Sequence, residues 1–248
     1  MPIKDRRTKI LLLLYLIGEF EFVSISENLQ KIFDIYFNQK TRGALSSLVN
    51  KGLIEKEDSE NVSYRITDRG LQQLCLEFPY FRFFHREWDG TWRIISYEIP
   101  ESKRHLRDSL RREMRGWGLG PWHRSFWLTP HPIIPNLREL VTGKEEAQYI
   151  QAFESTHVFG DVADLVEKVW EKSRLDSLYR NLFKSWHTTL SEDRQNSEKM
   201  QDIIYAFIRI IRDDPGLPKS LVGKDWIGFE AYKLFKEIRS ILMKPITT

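Results

Sequence analysis

The sequence of 248 residues predicts an α+β chain in three parts. Apolar residues at helical spacing recur in three short segments at the start, and two period-two segments follow them. The middle carries a strand–helix–strand–strand-like series, and the remainder is a succession of amphipathic helical stretches. These patterns predict an N-terminal winged helix-turn-helix (1–75), an ordered aromatic connector (76–90), a ferredoxin-like central domain (91–160) and a helical C-terminal domain (161–248).

The first helix is the apolar run over 9–17, closed by Gly18. The second starts at Ser24 or Ser26, with Glu27 three residues after Ser24 as a capping box, and runs through Leu29, Ile32 and Phe33. The third opens near Asn38, whose side chain can accept from free backbone N–H groups, and ends at Gly52. Ala44, Leu45, Leu48 and Val49 form its apolar face. Segments 53–57 and 62–66 alternate about Asp58-Ser59-Glu60-Asn61 as a hairpin, and another helix starts near Thr67.

In this order of elements the third helix can enter a DNA major groove while its apolar face packs on the first two. Its other face carries Gln39, Lys40, Arg42, Gly43, Ser46, Ser47 and Asn50, side chains short or basic enough to meet base edges and phosphates. Gln39, Lys40, Thr41, Arg42, Ser46, Ser47 and Asn50 are therefore the expected DNA-reading residues. The hairpin carries Glu55, Glu57, Asp58 and Glu60, which phosphates repel, and this leaves Arg65 and Lys56 as its backbone contacts. A winged helix used only for protein contacts is the alternative.

The connector contains FPYFRFFHREWDG, too aromatic for a free linker, which would be polar or Gly/Ser-rich. Beyond it, 92–99 is strand-like and Pro100 stops it; 101–115 is a helix with Leu106, Leu110 and Met114 on its buried face. A strand over 124–129, a helix over 136–142 and a strand over 155–159 complete the central unit. Helical stretches follow over 162–170, 175–186, 200–212 and 229–243, with Asp213-Asp214-Pro215-Gly216 as a helix-ending turn.

Charge is distributed unevenly. The net charge is +3, but residues 78–124 hold 10 basic and 6 acidic side chains, and 103–115 hold six basic and two acidic. Arg104, Arg107, Arg111 and Arg115 make a stripe at three- and four-residue spacing, the footprint of a phosphate-bearing partner or of a solvated helix face. The longest apolar run, 10–17, is far short of the ~18 residues that span a bilayer. The start of the chain has no small-residue cleavage site, and a single Cys with six scattered His offers neither an internal disulfide nor a zinc cluster. These features predict a cytoplasmic protein without a metal or a resident cofactor. No catalytic constellation is evident: Glu145-Glu146 reads as solvated, Cys75 as core, and the glycines at 116, 118 and 120 follow a helix instead of opening one.

Particular motifs point to a family. Lys51-Gly52-Leu53-Ile54, Tyr64-Arg65-Ile66-Thr67 and Gly70 resemble prokaryotic winged-helix regulators. Trp88-Asp89-Gly90, Trp92-Arg93, Tyr97-Glu98-Ile99-Pro100-Glu101, Arg104, Arg107 and Leu110-Arg111 resemble the central segment of the PaaX-type transcriptional repressors, as do Gly118-Leu119-Gly120-Pro121 and Phe126-Trp127-Leu128-Thr129-Pro130. Tyr179, Phe183 and Trp186, with Asp214-Pro215-Gly216-Leu217-Pro218 and Asp225-Trp226-Ile227-Gly228, are similar to that family's last domain. The resemblance implies a homodimeric repressor on palindromic operator DNA, released by an acyl-CoA effector such as phenylacetyl-CoA, with a central unit similar in fold to the small CRISPR adaptation subunit. Trp92, Arg93, Arg104, Arg107, Arg111 and Trp117 are the expected effector residues, since guanidinium groups match the phosphates of coenzyme A and indoles can stack; Trp122 could stack likewise. Glu98 stands where many relatives carry Asp. As the one metal-ligand candidate, it belongs to an alternative reading as a metal-dependent nuclease or CRISPR-associated factor.

Overall fold

The structure is a computed structural model that describes residues 3–58 and 61–243. In chain order it contains α1 (Arg6–Gly18), β1 (Val23–Ser24), α2 (Glu27–Phe33), α3 (Gln39–Asn50), β2 (Ile54–Asp58), β3 (Val62–Ile66) and α4 (Asp68–Glu77). There follow β4 (Trp92–Tyr97), α5 (Arg104–Gly116), β5 (Gly120–His123), β6 (Phe126–Thr129), α6 (Ile134–Val141), β7 (Ile150–Ser155) and α7 (Val162–Trp170). The last elements are α8 (Lys172–Ser191), α9 (Asn196–Ile211), the short α10 (Lys219–Val222) and α11 (Ile227–Leu242). The chain divides into two compact units. One takes in the residues up to Cys75, Tyr179–Ile210 and the chain from Gly228; the other takes in Leu76–Leu178 and Ile211–Ile227. The residues read in sequence as a C-terminal domain are thus shared between the two.

In the first unit, α1 begins at Arg6, three residues before its apolar run, because the Asp5 carboxylate accepts from the Thr8 backbone N–H at 2.9 Å and caps it. Every side chain from Ile10 to Leu16 is buried. A helix apolar on all sides needs cover on all sides, and α9 and α11 help to supply it. Tyr15 stacks on Tyr232 at 6.4 Å between centroids, and Trp186, Phe207 and Phe235 form an aromatic cluster, with Phe207 and Phe235 4.9 Å apart. The Arg239 guanidinium donates to the carbonyls of Leu16 and Ile17 at the end of α1, and the Gln201 amide donates to Lys31 O at 2.7 Å at the end of α2.

Two local expectations are corrected in this unit. The cap of α2 is Ser26, whose hydroxyl accepts from Leu29 N; Ser24 instead lies in β1, opposite Ser63 of β3. The antiparallel sheet therefore has three strands, in the order β1-β3-β2, the first too short to show a period. Part of the turn expected between β2 and β3, residues 59 and 60, lies outside the described residues. Gly70, at the start of α4, sits against the chain where β2 begins: a Cβ there would lie 2.0 Å from Leu53 O.

In the second unit, a four-stranded antiparallel sheet runs in the order β5-β6-β4-β7. Ile95, Tyr97 and Trp127 pack with Leu110 and Met114 of α5 and Leu137 of α6 in one core. The single strand expected over 124–129 is a hairpin, β5 and β6. Gly120 is needed there, because a Cβ would lie 2.2 Å from Val169 Cγ1, and Pro121 is tolerated because β5 is an edge strand. The strand expected over 155–159 is displaced to Ile150–Ser155. Pairing with β4 places Ile150 toward the helix-side core and Glu154 beside Arg93, whereas Val158 and Phe159 stay 90% and 96% exposed. The strand-like composition of 155–159 lacked a partner strand, and pairing decided the register.

The expected turn at 213–216 is built around Asp214, which is buried and accepts from Gly216 N at 2.7 Å. Gly216 has φ +63° and lies where a Cβ would meet Pro79 O at 2.2 Å. The preceding side of that turn holds a buried histidine. His131 is wholly buried, stacks on Phe83 at 5.0 Å and has its Nε2 2.5 Å from Pro215 O. A carbonyl only accepts, so Nε2 carries a proton toward it. Burial, and after it the charge of Arg82, push the His131 pKa down to about 3 from its ordinary 6.5.

Two outcomes follow from this packing. Gly70→Ala should destabilise the chain by about 1–3 kcal/mol in chemical denaturation, because a backbone carbonyl must move to admit the methyl group. Between the two His131 pKa values the unfolded chain binds a proton that the folded chain does not, so stability falls as pH falls below the ordinary value. The slope of this contribution is up to about 1.4 kcal/mol per pH unit. Urea denaturation at a series of pH values should show this slope for the native chain, and it should be reduced for His131→Asn.

Candidate functional site

The α3 helix is the first candidate surface. Asn38 caps it, its Oδ1 accepting from Thr41 N at 3.1 Å, so the helix starts where the sequence places it. Leu45 and Leu48 are buried, anchoring one face with about 1.5–3 kcal/mol each. Gln39, Lys40, Arg42, Gly43, Ser46 and Asn50 are exposed and Ser47 is half-buried, a continuous polar and basic strip. Thr41 departs from the expectation. It is completely buried; its hydroxyl donates to Tyr36 O at 2.5 Å and accepts from Arg6 at 2.5 Å. Three residues after the cap, its position turns inward with Leu45 and Leu48, so it fixes the start of α3 and meets no external partner.

Arg65 is half-buried on β3. Its guanidinium contacts Glu55 Oε2, with Nε at 2.7 Å, and lies 4.7 Å over the Phe22 ring. Lys56 pairs with Asp58 at 2.5 Å. Both cations named for the hairpin are thus engaged by hairpin acids: Arg65 across the strands, where register sets Glu55 opposite it, and Lys56 by Asp58 two residues on along β2. The expectation missed two exposed aromatics. Tyr36 and Phe37, in the turn before α3, are 60% and 40% exposed. The signal was available: an aromatic pair directly before a helix cap, with the charged Arg42 at the fourth helical position where an apolar partner would normally sit.

The central arginine and tryptophan residues divide into two groups. Trp92 is buried and stacks on Trp170 at 6.0 Å; Trp117 is buried in the helix-side core. Arg93 is also buried. It donates to Asp89 at 2.9 and 2.6 Å, to Glu154 at 3.0 Å and to the carbonyls of Thr91 and Pro130. Its bonds hold the Asp89 carboxyl below the usual carboxylate range. These three residues are corrected from effector contacts to packing and pairing groups: Arg93 lies on the same face of β4 as Ile95, and a strand alternates faces that a linear reading cannot rank.

On α5 the basic stripe reaches solvent. Arg104 is exposed, 3.5 Å from Asp108; Arg107 is half-buried and donates to Glu101 at 2.7 Å; Arg111 is half-buried, its Nε donating to the Tyr97 hydroxyl at 2.6 Å. Trp122 is 40% exposed on β5. Glu98 is exposed just past β4. No group of three or more His, Cys, Asp or Glu side chains that could hold a metal ion occurs among the described residues. Glu98 belongs to no such group. No helix among the described residues is long and apolar enough to cross a membrane.

Comparison with known proteins places the chain in a family. Residues 85–169 match the profile of the PaaX protein central Cas2-like domain, and residues 170–246 that of the PaaX-like protein C-terminal domain. The chain is 20% identical over 185 residues to a protein of Escherichia coli strain K12 named transcriptional repressor PaaX; the match takes in 69% of this chain and 58% of the length of that relative. A solved structure, the uncharacterized protein Rv0674 from Mycobacterium tuberculosis, shares the fold with a TM-score of 0.54, 19% identity and 96% coverage of both chains. With its central and C-terminal segments both matched, the chain belongs to the PaaX family.

Proposed function

We propose that this protein is a DNA-binding transcriptional regulator, a repressor of PaaX type and not an enzyme, acting in the cytoplasm as a homodimer. The observation that carries the reading is α3: a capped helix anchored by Leu45 and Leu48 that presents Gln39, Lys40, Arg42, Ser46 and Asn50 outward. Family membership supports it, since the matched relative is named a transcriptional repressor. The order of α1, α2, α3 and the β2–β3 hairpin, with β1 as a third strand, supports a winged helix-turn-helix. The central strand order, read as 4-1-3-2 with a helix after the first and third strands, supports a ferredoxin-like unit.

Lys40 and Arg42 carry the phosphate contacts in this reading, and Gln39, Ser46, Ser47 and Asn50 meet base edges. Arg65, shared with Glu55, is a minor contact. A single helix with so few cations binds weakly, and a dimer doubles the contacts over two half-sites. The outer edge of β7 is a surface that a second copy would cover: β7 ends its sheet, Phe153 on it is 52% exposed, and Val158 and Phe159 project just beyond. An acyl-CoA-like effector would meet the solvent-reaching arginines of α5, Arg104, Arg107 and Arg111, with the coenzyme phosphates as the matched group.

Genomic fragments selected by the full chain should converge on one palindromic site; failure to enrich any site over random DNA would overturn the reading. On that site, Lys40→Ala and Arg42→Ala should each weaken binding and lower the log–log salt slope by about two per dimer, one for each half-site. The effector assignment makes a separate comparison. Arg104→Ala with Arg107→Ala should blunt release by acyl-CoA thioesters with little change in thermal stability. Arg93→Ala should instead cost about 1–3 kcal/mol of stability, because Pro130 O and two carboxylates lose their donor.

A further inference from the structure

The two aromatics before α3 are unusual in being exposed on a backbone that is firmly held. Tyr36 O accepts from the Asn38 N–H at 2.9 Å and from the Thr41 hydroxyl, which Arg6 braces from α1. The Phe37 N–H donates to the Gln30 side chain at 3.2 Å. An apolar residue just before a helix cap ordinarily packs on the fourth helical residue. That residue is Arg42, exposed, so the ring of Phe37 is left beside the polar strip without an apolar partner there. The exposed Lys40 and Arg42 follow it three and five residues on in the chain, and the carboxylate of Asp34, three residues before it, is paired with Lys9 at 2.7 Å. An ordered apolar ring in a basic setting, at the N-terminal end of a helix that enters the major groove, faces one apolar feature on DNA: the 5-methyl group of thymine.

We infer that Phe37 is a specificity residue of the DNA interface, its ring lying against a thymine methyl group in each half-site. The inference rests on the proposed DNA-binding function and adds to it a base preference that the polar strip does not supply.

The test uses the full chain and the palindromic site that it selects. Each thymine of a half-site, with its symmetry mate, is replaced by deoxyuridine, which removes the methyl group and leaves every hydrogen-bonding group in place. One position should weaken binding of the native chain by about fourfold per methyl contact. Phe37→Ala should bind the thymine site about that much more weakly and be insensitive to uracil at that position, while Phe37→Leu should recover part of both. If no thymine is sensitive in the native chain, or if Phe37→Ala keeps the native uracil profile, the inference is overturned and the DNA-binding reading stands. If the native chain selects no site at all, the DNA-binding reading itself fails, and this inference with it. Thermal unfolding of Phe37→Ala separates lost contact from lost fold: an unchanged midpoint with weakened binding supports the contact, and a collapse of the fold shifts the decision to the uracil scan of the native chain.

Discussion

Arg239 donates to the carbonyls of Leu16 and Ile17, and Gln201 to the carbonyl of Lys31. The last carbonyls of a helix have no partner within it, and burying them without a donor costs roughly 1–3 kcal/mol each. In this unit the end of α1 receives donors from Arg239 of α11, and the Lys31 carbonyl of α2, which already accepts from the Asp34 N–H, takes a second donor from Gln201 of α9. The same contacts bury Tyr15 against Tyr232, and that burial raises the pKa of both hydroxyls, so that neither ionises in the ordinary range. Because α1 also supplies Arg6 to Thr41, the start of α3 inherits its position from this arrangement. The position of α3 therefore depends on α11 as much as on its own segment.

The second unit solves a different problem, that of placing polar groups inside a small sheet and its helices. Arg93 is buried yet satisfied by two carboxylates and two carbonyls, and His131 is buried but neutral. Charge is retained where partners surround it and removed where they do not. Phe83 stacks on His131 and Trp92 on Trp170, so aromatic residues of the connector and of the first strand are spent on packing within this unit. Of the arginines read as effector contacts, those that reach solvent lie on α5, whose other side is held by Leu110 and Met114. Burial and exposure on one helix thus separate structural residues from those open to a ligand.

Much of the fold and part of the site could be read before any coordinates. The cap at Asn38, the apolar pair Leu45 and Leu48, and the exposed strip from Gln39 to Asn50 depend on spacing within a few residues, and all stand in the structure as read. Thr41 shares the inward i, i+4, i+7 spacing of Leu45 and Leu48, but its bond from Arg6 on another helix is written in no local pattern. The strand at 150–155 was misplaced because Val158 and Phe159 look more strand-like than Gln151 and Glu154; pairing with β4 overrode local preference. Arg93 and Trp92 looked like ligand contacts because their chemistry suits phosphates and rings, whereas burial decides which chemistry is available.

By itself, then, the sequence determined periodicity, caps, turns and the family to which the central and C-terminal segments belong, since each of these is written in neighbouring residues. Only the tertiary structure decided which arginines reach solvent, which threonine is locked, what covers α1 and where Phe37 is left exposed. Those outcomes depend on partners as far apart as Arg239 and Leu16, and no local pattern encodes a contact across such a separation.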